Sequence, residues 1–134
     1  MHSDKITSLI EAPSLNWVIS SSMDGTIKVW SLVNQSLLKI MEDTFSKTLG
    51  IGGIGYSDSH VGYIVSWGFH SDIFLWNPYL SNTKPYFGKF EGHNAIIIDC
   101  KFLNNTPHCL SFDEKKIMRI WDYRTLMTVQ MLSL

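Results

Sequence analysis

Short runs in which apolar and polar residues alternate, broken by turn-forming residues every ten or so positions, fill this 134-residue chain. Such runs predict β-strands with one face buried. The first four are KITSLIE (5–11), WVISS (17–21), DGTIKVW (24–30) and SLLKIM (36–41). The next four are GIGGIGY (50–56), YIVSW (63–67), HSDIFLW (70–76) and KPYFGKF (84–90), and the last are IIIDCKF (96–102), HCLSF (108–112), KKIMRIWD (115–122) and LMTVQML (126–132). APSLN (12–16), SDSHV (57–61) and LNNTP (103–107) supply turn chemistry between first and second strands. No stretch has a long apolar pattern of helical period, so helix content near zero is predicted.

The pattern repeats. Three segments end in Trp30, Trp76 and Trp121, which lie 46 and 45 residues apart. That period is longer than ankyrin or TPR units and suits a four-stranded propeller blade. The fold class expected is all-β: three four-stranded antiparallel blades over 1–45, 46–90 and 91–134.

Two dipeptides then give the repeat a family. Gly92-His93 stands near the start of the third repeat and Trp121-Asp122 closes its third strand, with His93 28 residues before Trp121. His2 likewise lies 28 residues before Trp30. In these features the chain resembles the WD40-repeat family over essentially its whole length. The second repeat is degenerate: Lys47 or Thr48 occupies the His position, and Asn77 follows Trp76.

The resemblance implies a hydrogen-bonded relay in each blade, running from a His through a second-strand Ser and a turn Asp to the Trp. In such a chain, losing one member leaves another unpaired at about 1–3 kcal/mol. For the first repeat it implies His2, Ser20, Asp24 and Trp30, with Ser22 an alternative to Ser20. The third keeps His93, Ser111 and Trp121, but Lys115 stands at the Asp position. The second keeps Ser66 and Trp76, with His70 in place of the Asp. Blade 1 is therefore expected to be the best knit.

Composition narrows the chemistry. Charged residues are only 17% and the net charge is −1, with no basic stripe of the kind a nucleic-acid binder carries. Lys115, Lys116 and Arg119 sit among Asp113, Glu114 and Asp122, as in a solvated turn. Cys100 and Cys109 are too few for a secreted disulfide framework, and hairpin register keeps their thiols from facing each other. Together with His93 and His108 they lack zinc-ligand spacing. The N-terminus lacks signal-peptide character and no run is long enough to span a membrane, so an intracellular, cytoplasmic setting is expected.

Three further motifs have structural readings. Gly50-Ile51-Gly52-Gly53-Ile54-Gly55 matches G-x-G-x-x-G, but a turn and a strand follow it where a dinucleotide site needs a helix. A His–Ser–Asp set suggests a hydrolase triad, yet its hydroxyl would lie within a strand and not on an exposed elbow. Trp121-Asp122-Tyr123-Arg124 resembles the W-D-x-R ending of cullin-type ubiquitin-ligase substrate receptors.

No active site and no cofactor are expected. The leading reading is a non-catalytic scaffold that binds proteins or peptides, with Met23, Phe69, His70, Glu114, Lys115 and Arg124 as candidate contact residues. Three blades cannot close a ring of four to eight, so the outer faces of blades 1 and 3 should be open and apolar. Two outcomes are expected: either two copies join head to tail into six blades, or the chain is a piece of a longer propeller protein. Its clean ends at repeat boundaries favour the second.

Overall fold

A computed structural model describes residues 2–42, 49–57, 62–79 and 86–134. Among the described residues, twelve strands form three antiparallel sheets in which sequence neighbours are spatial neighbours. The first sheet holds β1 (Ile6–Ala12), β2 (Trp17–Ser22), β3 (Thr26–Ser31) and β4 (Ser36–Glu42). The second holds β5 (Gly53–Tyr56), β6 (Ile64–Trp67), β7 (Ile73–Trp76) and β8 (Tyr86–Phe90), and the third β9 (Ile97–Phe102), β10 (His108–Asp113), β11 (Ile117–Asp122) and β12 (Met127–Ser133). We refer to these sheets as blades 1, 2 and 3.

The third strands begin two or three residues later than the alternation predicts. Side chains at the start of each segment cap a turn instead of entering the ladder. Asp24 Oδ1 accepts the Thr26 amide at 2.8 Å, and His70 Nδ1 accepts the Asp72 amide at 3.3 Å. In blade 3 the cap comes from Asp113, whose Oδ1 accepts the Lys115 amide at 2.8 Å. At the far end of the same strands, the residue after each Trp caps the next turn. Ser31 Oγ accepts from the Asn34 amide, Asn77 Oδ1 from Tyr79 and Asp122 Oδ1 from Arg124. Short polar side chains followed by tight turns produce this punctuation.

Every blade also carries a β-bulge beside its Trp, where the register with the fourth strand shifts: Val29/Trp30, Leu75/Trp76 and Ile120/Trp121. A bulge at that point sharpens the local twist, and it recurs although the connection after Trp76 is longer than those after Ser31 and Asp122.

Two cores lie between the blades. Ile19, Ile27, Val29 and Met41 of blade 1 pack on Ile54, Ile64, Phe74 and Trp76 of blade 2. On the other side of blade 2, Val65, Ile73, Leu75 and Phe90 pack on Ile97, Cys100, Cys109 and Trp121 of blade 3. Blade 2 is thus apolar on both faces, which explains why IFLW reads as a continuous hydrophobic run. Phe90 and Trp121 stack with centroids 5.1 Å apart and planes 14° apart. The glycine-rich segment runs into β5 and pairs with β6, with Gly53 opposite Trp67. A Cβ on Gly53 would come within 2.4 Å of the Trp67 ring, so this glycine makes room for an indole.

Candidate functional site

The residues implied by the resemblance meet in blade 1. Trp30 Nε1–H donates to Ser20 Oγ at 2.9 Å, and the Ser20 hydroxyl donates to His2 Nε2 at 2.6 Å. His2 Nδ1–H then lies 3.0 Å from both Asp24 Oδ2 and Thr26 Oγ1. The Thr26 hydroxyl donates to Asp24 Oδ1 at 2.6 Å, and the Ser3 amide donates to Oδ2. With Nε2 accepting from Ser20, the imidazole proton lies on Nδ1, where Asp24 and Thr26 share it. Ser22 plays a separate part, in which its hydroxyl donates to the Lys5 carbonyl and accepts the Asp24 amide.

Blade 3 corrects the expectation drawn from Lys115. Trp121 Nε1–H donates to Ser111 Oγ at 2.8 Å, and Ser111 lies 2.6 Å from His93 Nε2. His93 Nδ1 meets Asp113 Oδ2 at 2.6 Å. Blade 3 therefore does not lack its acid; the acid has moved two residues toward the Ser, to the position that Ser22 holds in blade 1. From the end of β10 the Asp113 carboxylate does both jobs, since its other oxygen also accepts the Ile117 amide at 3.1 Å. Lys115 is exposed and outside the relay. Gly92, at φ +155°, supports the assembly, because a Cβ there would crowd Trp121 and Arg119. Arg119 lies over the Trp121 ring at 5.5 Å and donates to Thr128 and the Gly92 carbonyl.

In blade 2 Trp76 Nε1–H donates to Ser66 Oγ at 2.7 Å. His70 edges onto the Phe74 ring and caps its own turn. Lys47 and Thr48, the candidates for this blade's His position, lie outside the described residues.

Charges follow the geometry. Burial would raise the Asp24 pKa, but bonds from the Thr26 hydroxyl and amide, His2 and Ser3 hold it at about 2. Asp113 is likewise lowered, its burial outweighed by His93 and by the Ile117 and Lys115 amides. His93 is lowered by burial, against the pull of Asp113, and Arg119 lowers it further. Burial drives the thiols of Cys100 and Cys109 upward. They are free, opposite Ser111 and Phe102 respectively, and act as small apolar residues in the core.

The candidate contact residues fall at two ends of the blades. Met23, Phe69, His70, Glu114 and Lys115 share the end where each repeat begins. There the Met23 amide bonds the Lys5 carbonyl, Ile97 bonds the His70 carbonyl and Glu114 bonds the Ile96 carbonyl. Phe69 is 60% exposed, and Glu114 and Lys115 are open to solvent, whereas Met23 is half-buried against Gly50. Arg124 lies at the opposite end. Its Nε and Nη2 both donate to Asp122, at 3.1 and 2.8 Å, and Arg124 in turn holds Asp122 at about 2. Among the described residues, no group of three His, Cys, Asp or Glu side chains is placed to hold a metal, and no helix is long and apolar enough to cross a membrane.

Four-stranded blades, each pinned by a Trp–Ser bond and packed face to face, define a stretch of β-propeller. Residues 1–31 match the WD domain, G-beta repeat family, and the three sheets together have the fold of part of a WD40 propeller. It superposes over its full length on the crystal structure of RRP9 WD40 repeats and on the structure of U3-55K, with a TM-score of 0.86 and 18% identity in each case. It covers 40% and 41% of those chains. In sequence it is 24% identical over 132 residues to cilia- and flagella-associated protein 337 B of Tetrahymena thermophila. It is 32% identical over 78 residues to Elongator complex protein 2 of Saccharomyces cerevisiae. The matches take in 98% and 55% of this chain, and the chain spans only 10% of the length of each of these curated relatives.

Proposed function

We propose that the chain is a non-catalytic interaction scaffold that binds protein or peptide at the blade end bearing Phe69, His70, Glu114 and Lys115. The observation that carries this reading is Phe69, a large aromatic held 60% exposed on a short turn, beside a His70 fixed by Phe74 and Asp72. An aromatic anchor on a rigid turn with charged neighbours is the composition of an interface hot spot. The names of the relatives, one a complex protein and the other cilia- and flagella-associated, support a role within assemblies.

The geometry weighs against a hydrolase. Ser111 is buried, and its oxygen is committed to Trp121 and His93, which supports a structural part for the relay hydroxyl. Arg124 is tied to Asp122 in its own turn, which supports a local role for the W-D-x-R ending. Affinity purification from cells tests the scaffold reading. Proteins that co-purify with the unaltered chain should be lost with Phe69→Ala and retained with Arg124→Ala. The reverse pattern, with a ligase adaptor lost on Arg124→Ala, would favour the receptor reading.

A further inference from the structure

Of the four prolines in the chain, only Pro107 follows a hydroxyl-bearing residue, and Thr106-Pro107 sits in the turn between β9 and β10. Thr106 is exposed, as are Asn104 and Asn105 before it. Its hydroxyl donates to the Leu103 carbonyl at 2.9 Å and accepts the His108 amide at 3.3 Å, both at the surface. Proline biases the residue before it toward extended backbone and brings no N–H of its own. The turn therefore presents a hydroxyl just ahead of a residue that leaves no amide to satisfy, a combination suited to a kinase cleft that selects proline after the acceptor.

Strand register supplies the second half of the site. β10 and β11 pair with His108 opposite Asp122. One residue further along, the Tyr123 amide donates to the Pro107 carbonyl at 3.0 Å. The next step of the same ladder sets Thr106 across from Arg124. The Arg124 side chain is 66% exposed and grips Asp122 through Nε and Nη2. In blade 1 the matching bond runs from the Leu32 amide to the Asn16 carbonyl, and the next step there sets Leu15 across from Val33. Blade 3 thus carries a hydroxyl and a guanidinium where blade 1 carries two aliphatic side chains.

We propose that Thr106 is a phosphorylation site for a proline-directed serine/threonine kinase, with Arg124 as the residue that receives the phosphate. Magnesium-bound ATP is the donor. A bond forms between Thr106 Oγ1 and the γ-phosphorus, the bond to the β,γ-bridging oxygen breaks, ADP leaves, and the hydroxyl proton passes to the kinase's base. The modified side chain can no longer donate to the Leu103 carbonyl. It brings a charge of about −2 and three acceptor oxygens to a position across from a guanidinium, and arginine pairs with phosphate strongly and in bidentate fashion. Arg124 then divides between Asp122 and the phosphate, which ties the 103–107 turn to the β11–β12 turn. Both turns belong to blade 3 and lie at the end opposite Phe69, so the site goes beyond the contact surface proposed above and calls on no other blade.

A cyclin-dependent kinase and a mitogen-activated kinase, each with magnesium ATP, serve as proline-directed probes of the folded protein. Peptide mass spectrometry should place one phosphate on Thr106, and Thr106→Val should abolish it. Pro107→Ala keeps the hydroxyl and should slow the reaction about tenfold or more. In the product, the second pKa of the phosphate, read by phosphorus NMR, should lie below its ordinary value of about 6 and return to it in Arg124→Gln. No phosphate on Thr106 with either kinase would overturn the proposal. So would modification of a free peptide of residues 101–112 while the folded protein stays unmodified. A phosphate pKa that Arg124→Gln leaves unmoved would overturn the part given to Arg124.

Discussion

Blades 1 and 3 solve one problem with two placements of a carboxylate. In blade 1 the acid is Asp24, in the turn, helped by Thr26 and by a separate serine, Ser22, that caps the turn. In blade 3 a single residue at the end of the strand, Asp113, holds the histidine and caps the turn together. The surroundings differ too. The His93–Asp113 pair is enclosed, with side chains 0% and 1% exposed, while those of His2 and Asp24 are 2% and 9% exposed. The same relay is thus a core element in one blade and a margin in the other. Its contribution to stability should follow the enclosure and not the match to a motif.

The largest expected effect follows directly. Removing the carboxylate in Asp113→Ala strands a buried imidazole and two amides, and should cost about 2–3 kcal/mol. Asp24→Ala, with Thr26 still able to accept from His2, should cost about 1 kcal/mol. Lys115→Ala should change stability by less than about 0.5 kcal/mol. Urea midpoints at one fixed protein concentration would show the order, and equal shifts for the two aspartates would break the comparison.

The pH response separates the blades next. His93 in the fold lies below its ordinary value of 6.5 because it is buried. The unfolded chain therefore binds more protons below that pH, and stability present above about 6.5 is lost as pH falls from there toward the folded value. Asp113, lowered from 3.8, adds its own loss below that pH, because the unfolded carboxylate takes up a proton that the folded one still refuses. The urea midpoint should accordingly fall between pH 7 and pH 5, and His93→Gln should flatten that slope, with a further drop reserved for pH below 4.

The smallest effect concerns the turns themselves. Gly25 in blade 1 and Lys116 in blade 3 hold the same position five residues before the Trp, with φ of +84° and +64°. A non-glycine residue there carries strain, so Lys116→Gly should stabilise the chain by about 0.5–1 kcal/mol, while Gly25→Ala destabilises it by a similar amount or more. Thermal melting of the two variants would read both signs.

Most of the fold is legible in the sequence because alternation, turn residues and the 45-residue period each report backbone geometry locally. The pairing of Cys100 with Ser111 and of Cys109 with Phe102 can be read from the LNNTP turn alone. Strand starts in β3, β7 and β11 are less legible, because capping by Asp24, His70 and Asp113 turns the first residues of each segment out of the ladder. The relay of blade 3 is hidden for a related reason. Position-by-position matching puts Lys115 where an acid is sought, although hydrogen bonding fixes only where a carboxylate ends, and a side chain from two residues earlier reaches the same point. The signal available is SFDEKK itself, in which Asp113 stands two residues after the relay serine and four before the Ile117 amide it caps.

The central claim is that Asp113, and not the residue at the family's turn position, holds His93. A double-mutant cycle tests it most directly, using His93→Ala with Asp113→Ala, and His93→Ala with Lys115→Ala, each measured by urea denaturation. A coupling of about 1–3 kcal/mol is expected for the first pair and none beyond about 0.3 kcal/mol for the second. Additive effects of His93 and Asp113, or equal coupling in both cycles, would contradict it.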